Sequence, residues 1–162
     1  MKSQKKLIVV IAVFFAALFI SQNFYQLNLL QGDSMYPTYK NMQFTIIDKR
    51  ALDFQNGDVI VFYCPALDCT MVKRIIAASG DTVLISEGTV FVNGSKSPHI
   101  TQTVTYSGTA AQELLVGEHQ FFVMGDNCAL SKDSRSAEIG CINRDNIIGR
   151  LIPNRPVTTI SQ

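Results

Sequence analysis

An unbroken apolar run from Leu7 to Ile20, entered through Lys2, Lys5 and Lys6, constrains this chain more than any other feature. Alone it falls short of the about 20 mainly apolar residues that span a bilayer. It continues, however, through Ser21-Gln22-Asn23 into Phe24-Tyr25 and Leu27, and ends at Leu29-Leu30. A helix from about Lys6 to the mid-twenties is therefore expected to cross a membrane, with amides and an aromatic ring at headgroup depth. The leading lysines put the N-terminus in the cytoplasm and everything after Leu30 outside. A cleavable export signal shares the basic start and the apolar centre. Its small-x-small cleavage site is missing, because Phe19, Ile20 and Gln22 fill those places. The expectation is an uncleaved anchor over 1–30 and an extracytoplasmic domain over 31–162.

That remainder of a 162-residue chain is long enough for one compact domain with its own core, and hardly for two. A formal net charge of +1, with no block of Lys and Arg, gives nucleic acid no footprint. A hydrophobic content of 47% excludes a disordered chain. Four cysteines, Cys64, Cys69, Cys128 and Cys141, fall in the exported part, where oxidation is open to them. Cys64 and Cys69 flank Pro65 and suit a small stapled loop; free thiols are the alternative. The spacings match no usual zinc knuckle and no His adjoins them, so no metal is expected.

After the apolar run the period changes to that of strands. Phe44 to Ile47, Val59 to Tyr63, Val72 to Ala77, Gln120 to Met124 and Asn146 to Ile152 read as strands. Val83 to Ile85 and Val90 to Val92 read as a hairpin about Ser86-Glu87-Gly88, with a further turn at Asn93-Gly94. Nothing after the anchor carries a helical stripe of useful length. Many short strands with regular turns indicate an all-β domain, a folded-over sheet or barrel-like core. The Ser-, Thr- and Gln-rich stretch from Ser95 to Gly117 reads as an insertion on that core.

The chemistry must do without a histidine triad. His99 follows Pro98 in the polar insertion, His119 precedes a strand, and neither adjoins a candidate nucleophile. No HExxH, P-loop or GxGxxG occurs. Three segments carry polar groups of a different kind. Gly32-Asp33-Ser34-Met35-Tyr36-Pro37-Thr38 is a tight turn that can expose a hydroxyl and aim a backbone N–H at the same point. Met71-Val72-Lys73-Arg74-Ile75-Ile76 puts two cations in an apolar strand. Strand neighbours face opposite sides, so one of the two points inward. Burial lowers a lysine pKa, and a general base working near pH 7 needs a fall of roughly three units, about 4 kcal/mol. Ser131-Lys132-Asp133-Ser134-Arg135 offers an ion pair and a hydroxyl able to orient an amine. Taken singly, these segments also fit a plain turn, a snorkelling lysine and a solvated loop.

Taken together and in order, they resemble the bacterial type I signal peptidases, serine peptidases of family S26. The chain shows SMYPT from Ser34, GDVIVF from Gly57, KRIIAASGD from Lys73 and GDNCALSKDSR from Gly125, behind an apolar N-terminus. The resemblance runs from that N-terminus to about Arg150. It implies a β-rich signal-peptidase core and a membrane-bound serine endopeptidase that needs no cofactor. Ser34 matches the nucleophile and Lys73 the general base. Ser131 matches the serine that hydrogen-bonds the lysine, and Asp133 and Arg135 the supporting pair. Met35 and Val72 are expected along the substrate cleft. The oxyanion hole would use the backbone N–H of Ser34; where some relatives add a hydroxyl two residues earlier, this chain has Gly32. The implied substrates are secretory preproteins with small residues before the cut, in an Ala-x-Ala pattern. The implied partners are the lipid bilayer and the secretion translocon. Cys128 stands where Arg is common, and Ser136 to Ile139 intervene before Gly140. A Cys128–Cys141 disulfide would stiffen that loop.

Overall fold

The computed structural model describes residues 2–153; residues 154–162 of the expected domain lie outside the described residues. Helix α1 spans Lys2–Phe24, where the basic start and apolar run place it. Leu7, Ile8, Val9 and Val10 are all exposed, although successive helical residues turn by about 100°. Among its described side chains the helix is thus apolar on all sides and buries no stripe against the rest of the chain. Among the described residues no helix is long and apolar enough to cross a membrane, so the transmembrane anchor expected over 1–30 is not seen; its last part, Tyr25–Leu29, is strand instead.

Eleven strands follow. They are β1 (Tyr25–Leu29), β2 (Phe44–Asp48), β3 (Val59–Cys64), β4 (Cys69–Ala77), β5 (Thr82–Ser86) and β6 (Thr89–Val92), then β7 (Ser95–Lys96), β8 (Leu114–Leu115), β9 (Gln120–Met124), β10 (Ile142–Asn143) and β11 (Ile147–Leu151). Seven form one sheet in the order β1-β2-β11-β3-β4-β9-β10, and four form a second in the order β7-β6-β5-β8. The all-β expectation holds. The expected hairpin is β5–β6, with Val83 opposite Val92 and Ser86 opposite Thr89.

β1 departs from the expected arrangement, because it is drawn from the tail of the apolar stretch. Helix gives way to strand at Phe24, and Tyr25 to Leu29 pair antiparallel with β2, Tyr25 opposite Asp48 and Leu29 opposite Phe44. The junction is tied by the Lys49 N–H, which donates to the Phe24 carbonyl at 2.9 Å. Alternation decides the outcome: with Leu27 and Leu29 two apart, one strand face is apolar, and a paired edge satisfies the backbone.

The central strands are buried on both faces. On β3, Ile60 and Phe62 enter a cluster with Phe54, Ile75 and Val123, while Val59 and Val61 enter another with Leu30, Met35, Tyr39 and Ile47. This explains why that strand reads as a continuous apolar run rather than an alternating one.

The stretch from Ser95 to Gly117, expected as an insertion on the core, packs closely into it. It supplies β7 and β8 to the second sheet, and Ile100, Val104, Ala110 and Val116 are buried in a cluster with Ile76, Val83, Phe122 and Met124. Its polar composition reflects the exposed positions between these few anchors. Ile100→Ala is accordingly expected to destabilise the domain by about 2–5 kcal/mol, as a buried large-to-small change does. Thermal unfolding checks this, since a loop hanging off the core would tolerate the change within ~0.5 kcal/mol.

Candidate active site

The turn after β1 is held from both ends. The Leu30 N–H donates to the Gln43 carbonyl at 2.9 Å, and the Met42 N–H returns a bond to the Leu30 carbonyl at 2.8 Å. Between them Gly32 adopts φ +86°, in the left-handed region that favours glycine. Its N–H donates to Asn41 Oδ1 at 2.9 Å. The Tyr36 N–H donates to the Asp33 carbonyl at 3.1 Å, and the Tyr39 N–H to the Met35 carbonyl at 2.9 Å. Met35 and Tyr39 are buried and anchor the turn in the core, leaving Ser34 half-buried at its tip.

Lys73 comes to this serine from the middle of β4, where it lies opposite Ile60 in register. Its residue exposure is 3%, and its Nζ donates to Ser34 Oγ at 2.8 Å. Burial drives the lysine pKa down to about 8; the Asp133 carboxylate pulls the other way and Arg135 adds to the fall. Of the two cations on this strand, alternation thus sends the ammonium of Lys73 to the hydroxyl. At pH values where the amine is neutral, its lone pair faces Oγ along the same line and can take the serine proton.

Asp133 and Arg135 form the expected pair, fully buried. Arg135 donates from Nε to Asp133 Oδ1 at 2.8 Å and from Nη2 to Oδ2 at 2.9 Å. The same Nη2 reaches the carbonyls of Cys128 at 2.9 Å and Ser131 at 3.1 Å. Asp133 Oδ2 also accepts the Gly125 N–H at 3.0 Å and the Ser131 hydroxyl at 2.6 Å. The expected hydrogen bond from Ser131 to the lysine is therefore not the one formed. A hydroxyl has one proton, and an ionised carboxylate is the stronger acceptor for it. The pair also braces the loop against the former insertion: the Thr109 N–H donates to the Arg135 carbonyl at 2.9 Å.

Gly125 joins this network to the serine. A Cβ there would lie 2.3 Å from Ser131 Oγ and 2.5 Å from the Ser34 carbonyl oxygen. That carbonyl accepts the Asn127 N–H at 2.9 Å. The absence of a side chain at 125 is what lets the loop after β9 pack against the serine turn.

A second ion pair escaped sequence reasoning. Arg74 donates from Nε to Asp126 Oδ1 at 2.7 Å and from Nη2 to Oδ2 at 2.6 Å, with Nη1 on the Gly57 carbonyl at 2.7 Å. Burial disfavours the charge on Arg74, but Asp126 outweighs it and raises the guanidinium pKa above its ordinary value. One fork thus ties β4, the turn before β3 and the loop after β9. The signal was present in the alternation that sent Arg74 away from Lys73, and in the Asp of Gly125-Asp126-Asn127. Asn41 was equally hidden, since a turn residue whose side chain caps a backbone N–H leaves no pattern in a single sequence.

The serine and the lysine open on a cleft of about 350 Å³, lined by Asn28 to Gly32 on one side and Cys69 to Lys73 on the other, with Met35 and Tyr39. Met35 and Val72 line it as expected. His99 lies elsewhere, its ring against Gly57. All four cysteines are free thiols, Cys64 and Cys128 buried, Cys69 exposed and Cys141 between. Among the described residues no group of His, Cys, Asp and Glu could hold a metal ion. A hydroxyl beside a buried amine of lowered pKa, in an open cleft, is suited to acyl transfer.

Comparisons with known proteins point to one family. The family described as signal peptidase, peptidase S26, matches residues 3–153. Signal peptidase I U of Bacillus subtilis is 33% identical over 158 residues, covering 90% of this chain and 84% of the relative. Signal peptidase IB of Staphylococcus aureus is 32% identical over 165 residues, covering 89% and 85%. The crystal structure of a signal peptidase I from Enterococcus faecalis superposes with a TM-score of 0.52 at 28% identity, over 62% of this chain and 97% of that one. By matched length, identity and fold, the chain belongs to the signal peptidases of peptidase family S26.

Proposed function

We propose that this chain removes N-terminal signal peptides from exported preproteins, with Ser34 as nucleophile and Lys73 as its general base. The observation that carries the reading is the 2.8 Å contact between Lys73 Nζ and Ser34 Oγ, made by a lysine whose pKa burial lowers to about 8. Ser34 Oγ attacks the scissile carbonyl while the neutral amine takes its proton. The resulting ammonium gives that proton to the leaving amine, and water, activated by the same lysine, then resolves the acyl-enzyme. Among the described residues the Ser34 N–H has no acceptor, which suits it to the developing oxyanion. Gly32 adds no side-chain donor. Asp133 and Arg135 support the site by fixing Gly125 and Ser131, and Ser131 acts on the lysine through Asp133. Met35 and Val72 form shallow cleft walls that favour small residues, as in Ala-x-Ala.

The enzyme works at the cytoplasmic membrane, on this reading, held there by the apolar helix α1, with the β-domain outside the cytosol from Tyr25 onward. Two observations support it. The helix is apolar on all sides, which suits lipid rather than water. The outer face of the adjoining strands is apolar too: Leu27, opposite Ile46, is 67% exposed, and Phe44, Ile46 and Ile152 stand beside it at 63%, 45% and 41%. A patch continuous with the helix end seats the domain on the bilayer. Holding enzyme and signal helix in one plane raises their effective concentration. The translocon that delivers preproteins is the natural neighbour there.

Cleavage of a preprotein with an Ala-x-Ala site in detergent is expected to fall roughly 10³-fold or more in Ser34→Ala and in Lys73→Ala; retained activity in either folded variant would refute the dyad. The rate should rise with pH through an apparent pKa of about 8, because the base works only when neutral. Lys73→Met should abolish cleavage and yet stabilise the domain at neutral pH by up to roughly 3 kcal/mol. The sign follows from the lowered folded pKa: the burial cost is fully present below about 8 and is relieved as pH climbs towards the ordinary lysine value of 10.5. Thermal unfolding of both proteins at pH 7 and pH 10 checks it. Leu27→Glu with Ile46→Glu should slow cleavage of a membrane-embedded preprotein several-fold and leave a short soluble peptide unaffected. Equal loss on both substrates would deny the face a role at the bilayer.

A further inference from the structure

The β3–β4 hairpin carries two thiols that the catalytic reading leaves unused. Cys64 ends β3, Cys69 begins β4, and the two are direct partners in register. Directly opposed residues of an antiparallel pair have Cα atoms about 4.5 or 5.5 Å apart, according to their place in the ladder. Both values fall within the roughly 4.4–6.8 Å that a disulfide spans. Opposed residues also point to the same face, which puts both thiols on one side of the hairpin.

The turn between them is built to keep this register. The Leu67 N–H donates to the Cys64 carbonyl at 3.2 Å, and Asp68 holds a left-handed φ of 49°. Asp68 Oδ1 accepts the Tyr63 hydroxyl at 2.6 Å, which clamps the turn across the strands. The two thiols differ in access. Cys64 is 2% exposed within the core, whereas Cys69 is exposed and lines the same cleft as Ser34 and Lys73.

We propose that Cys64 and Cys69 are a thiol–disulfide exchange site on the rim of the cleft, taking a small disulfide as its oxidant. The Cys69 thiolate attacks one sulfur of the oxidant, forms a mixed disulfide and releases the first thiolate. The Cys64 thiolate then attacks the Cys69 sulfur, closes the Cys64–Cys69 bond and releases the second. The two protein thiols lose two electrons and two protons; the oxidant gains both and leaves as two thiols. The order follows from access: only Cys69 meets a solvent-borne oxidant, and Cys64 needs to reach only its cross-strand partner. Cys128 and Cys141 stand apart from this chemistry: Cys128 is buried, Cys141 half-buried, and neither lines the cleft.

Closure takes the one exposed thiol out of the cleft. On the reading of that cleft as the preprotein site, the closed pair protects the enzyme from thiol reagents.

The test uses full-length protein in detergent carrying Cys128→Ser and Cys141→Ser, so that one pair remains. Treatment with oxidised dithiothreitol is expected to remove two hydrogen masses, reversed by reductant, and digestion should yield one peptide bridged between 64 and 69. Adding Cys69→Ser should abolish the mass loss and leave Cys64 unreactive towards iodoacetamide in the folded state. A folded protein that keeps its mass, or one that stops at a stable mixed disulfide with cystamine, overturns the proposal. A second arm asks about the cleft. Reduced protein treated with a bulky maleimide should lose most of its cleavage, and pre-oxidised protein should keep it. Equal activity in both would remove Cys69 from the substrate path without touching the mass result, so failure of the exchange site and failure of the cleft reading are told apart.

Discussion

The site depends on keeping one ammonium group out of water. Lys73 stands in a strand whose neighbours are apolar, and the desolvation that lowers its pKa to about 8 is supplied by the same packing that holds the sheet together. Stability and chemistry therefore oppose each other at this residue. A methionine would fit the strand and cost nothing in solvation, whereas the lysine lowers the stability of the fold in order to carry a usable lone pair at moderate pH. The nearby Asp133 works against that fall and would by itself favour the charged amine. Its carboxylate does not do so freely, because Arg135, Ser131 and the Gly125 N–H already occupy its lone pairs. The buried Arg135 guanidinium offsets the Asp133 charge, so the carboxylate favours the ammonium of Lys73 less than it would alone. The ion pair that looks like scaffolding is in this sense part of the tuning.

The second ion pair has a mechanical part instead. Arg74 follows Lys73 directly, so whatever fixes Arg74 also fixes the backbone that aims the amine. Its fork grips Asp126 and the Gly57 carbonyl, and Asp126 lies between Gly125, which touches the Ser34 carbonyl, and Asn127, which bonds it. Serine turn, lysine strand and polar loop are thus locked to one another within two residues of the reacting groups. Precision of this sort comes from shared partners, and a lysine alone on a flexible segment would not hold a 2.8 Å contact.

How far the sequence disclosed all this follows from the kind of signal each feature leaves. Strand alternation found Lys73 inside the apolar strand and separated it from Arg74. Binary patterning found β2, β3, β5, β6, β9 and β11, because each carries at least one buried face. It missed β1, since Leu27 and Leu29 continue an apolar stretch that began as helix, and only pairing with β2 reveals the change of period. It missed β7, β8 and β10, each two residues long and too short to show any period. How closely the Ser95–Gly117 stretch packs was hidden because composition averages over positions, and four buried side chains are enough to anchor it. The Ser131 hydroxyl was sent to the wrong partner. Which acceptor wins a single proton is decided by distance and charge, and a list of polar residues contains neither.

The helix end, the first strand and Ser34 are linked by length. Helix α1 stops at Phe24, β1 runs for five residues, and Ser34 stands five residues beyond Leu29. A strand of that length advances by roughly 16 Å. On the membrane reading, Ser34 then sits a strand's length from the bilayer exit, and β1 serves two surfaces at once. Its outward Leu27 belongs to the apolar face, while Asn28 and Leu29 line the cleft. The chain itself changes from helix to strand at Phe24. On the proposed reading, a preprotein leaving the same bilayer as a helix would have to make the same change before entering that cleft. The order α1, β1, Ser34 would then set the cut a fixed short distance beyond an apolar helix, and a preference for small residues would select among the few bonds within reach.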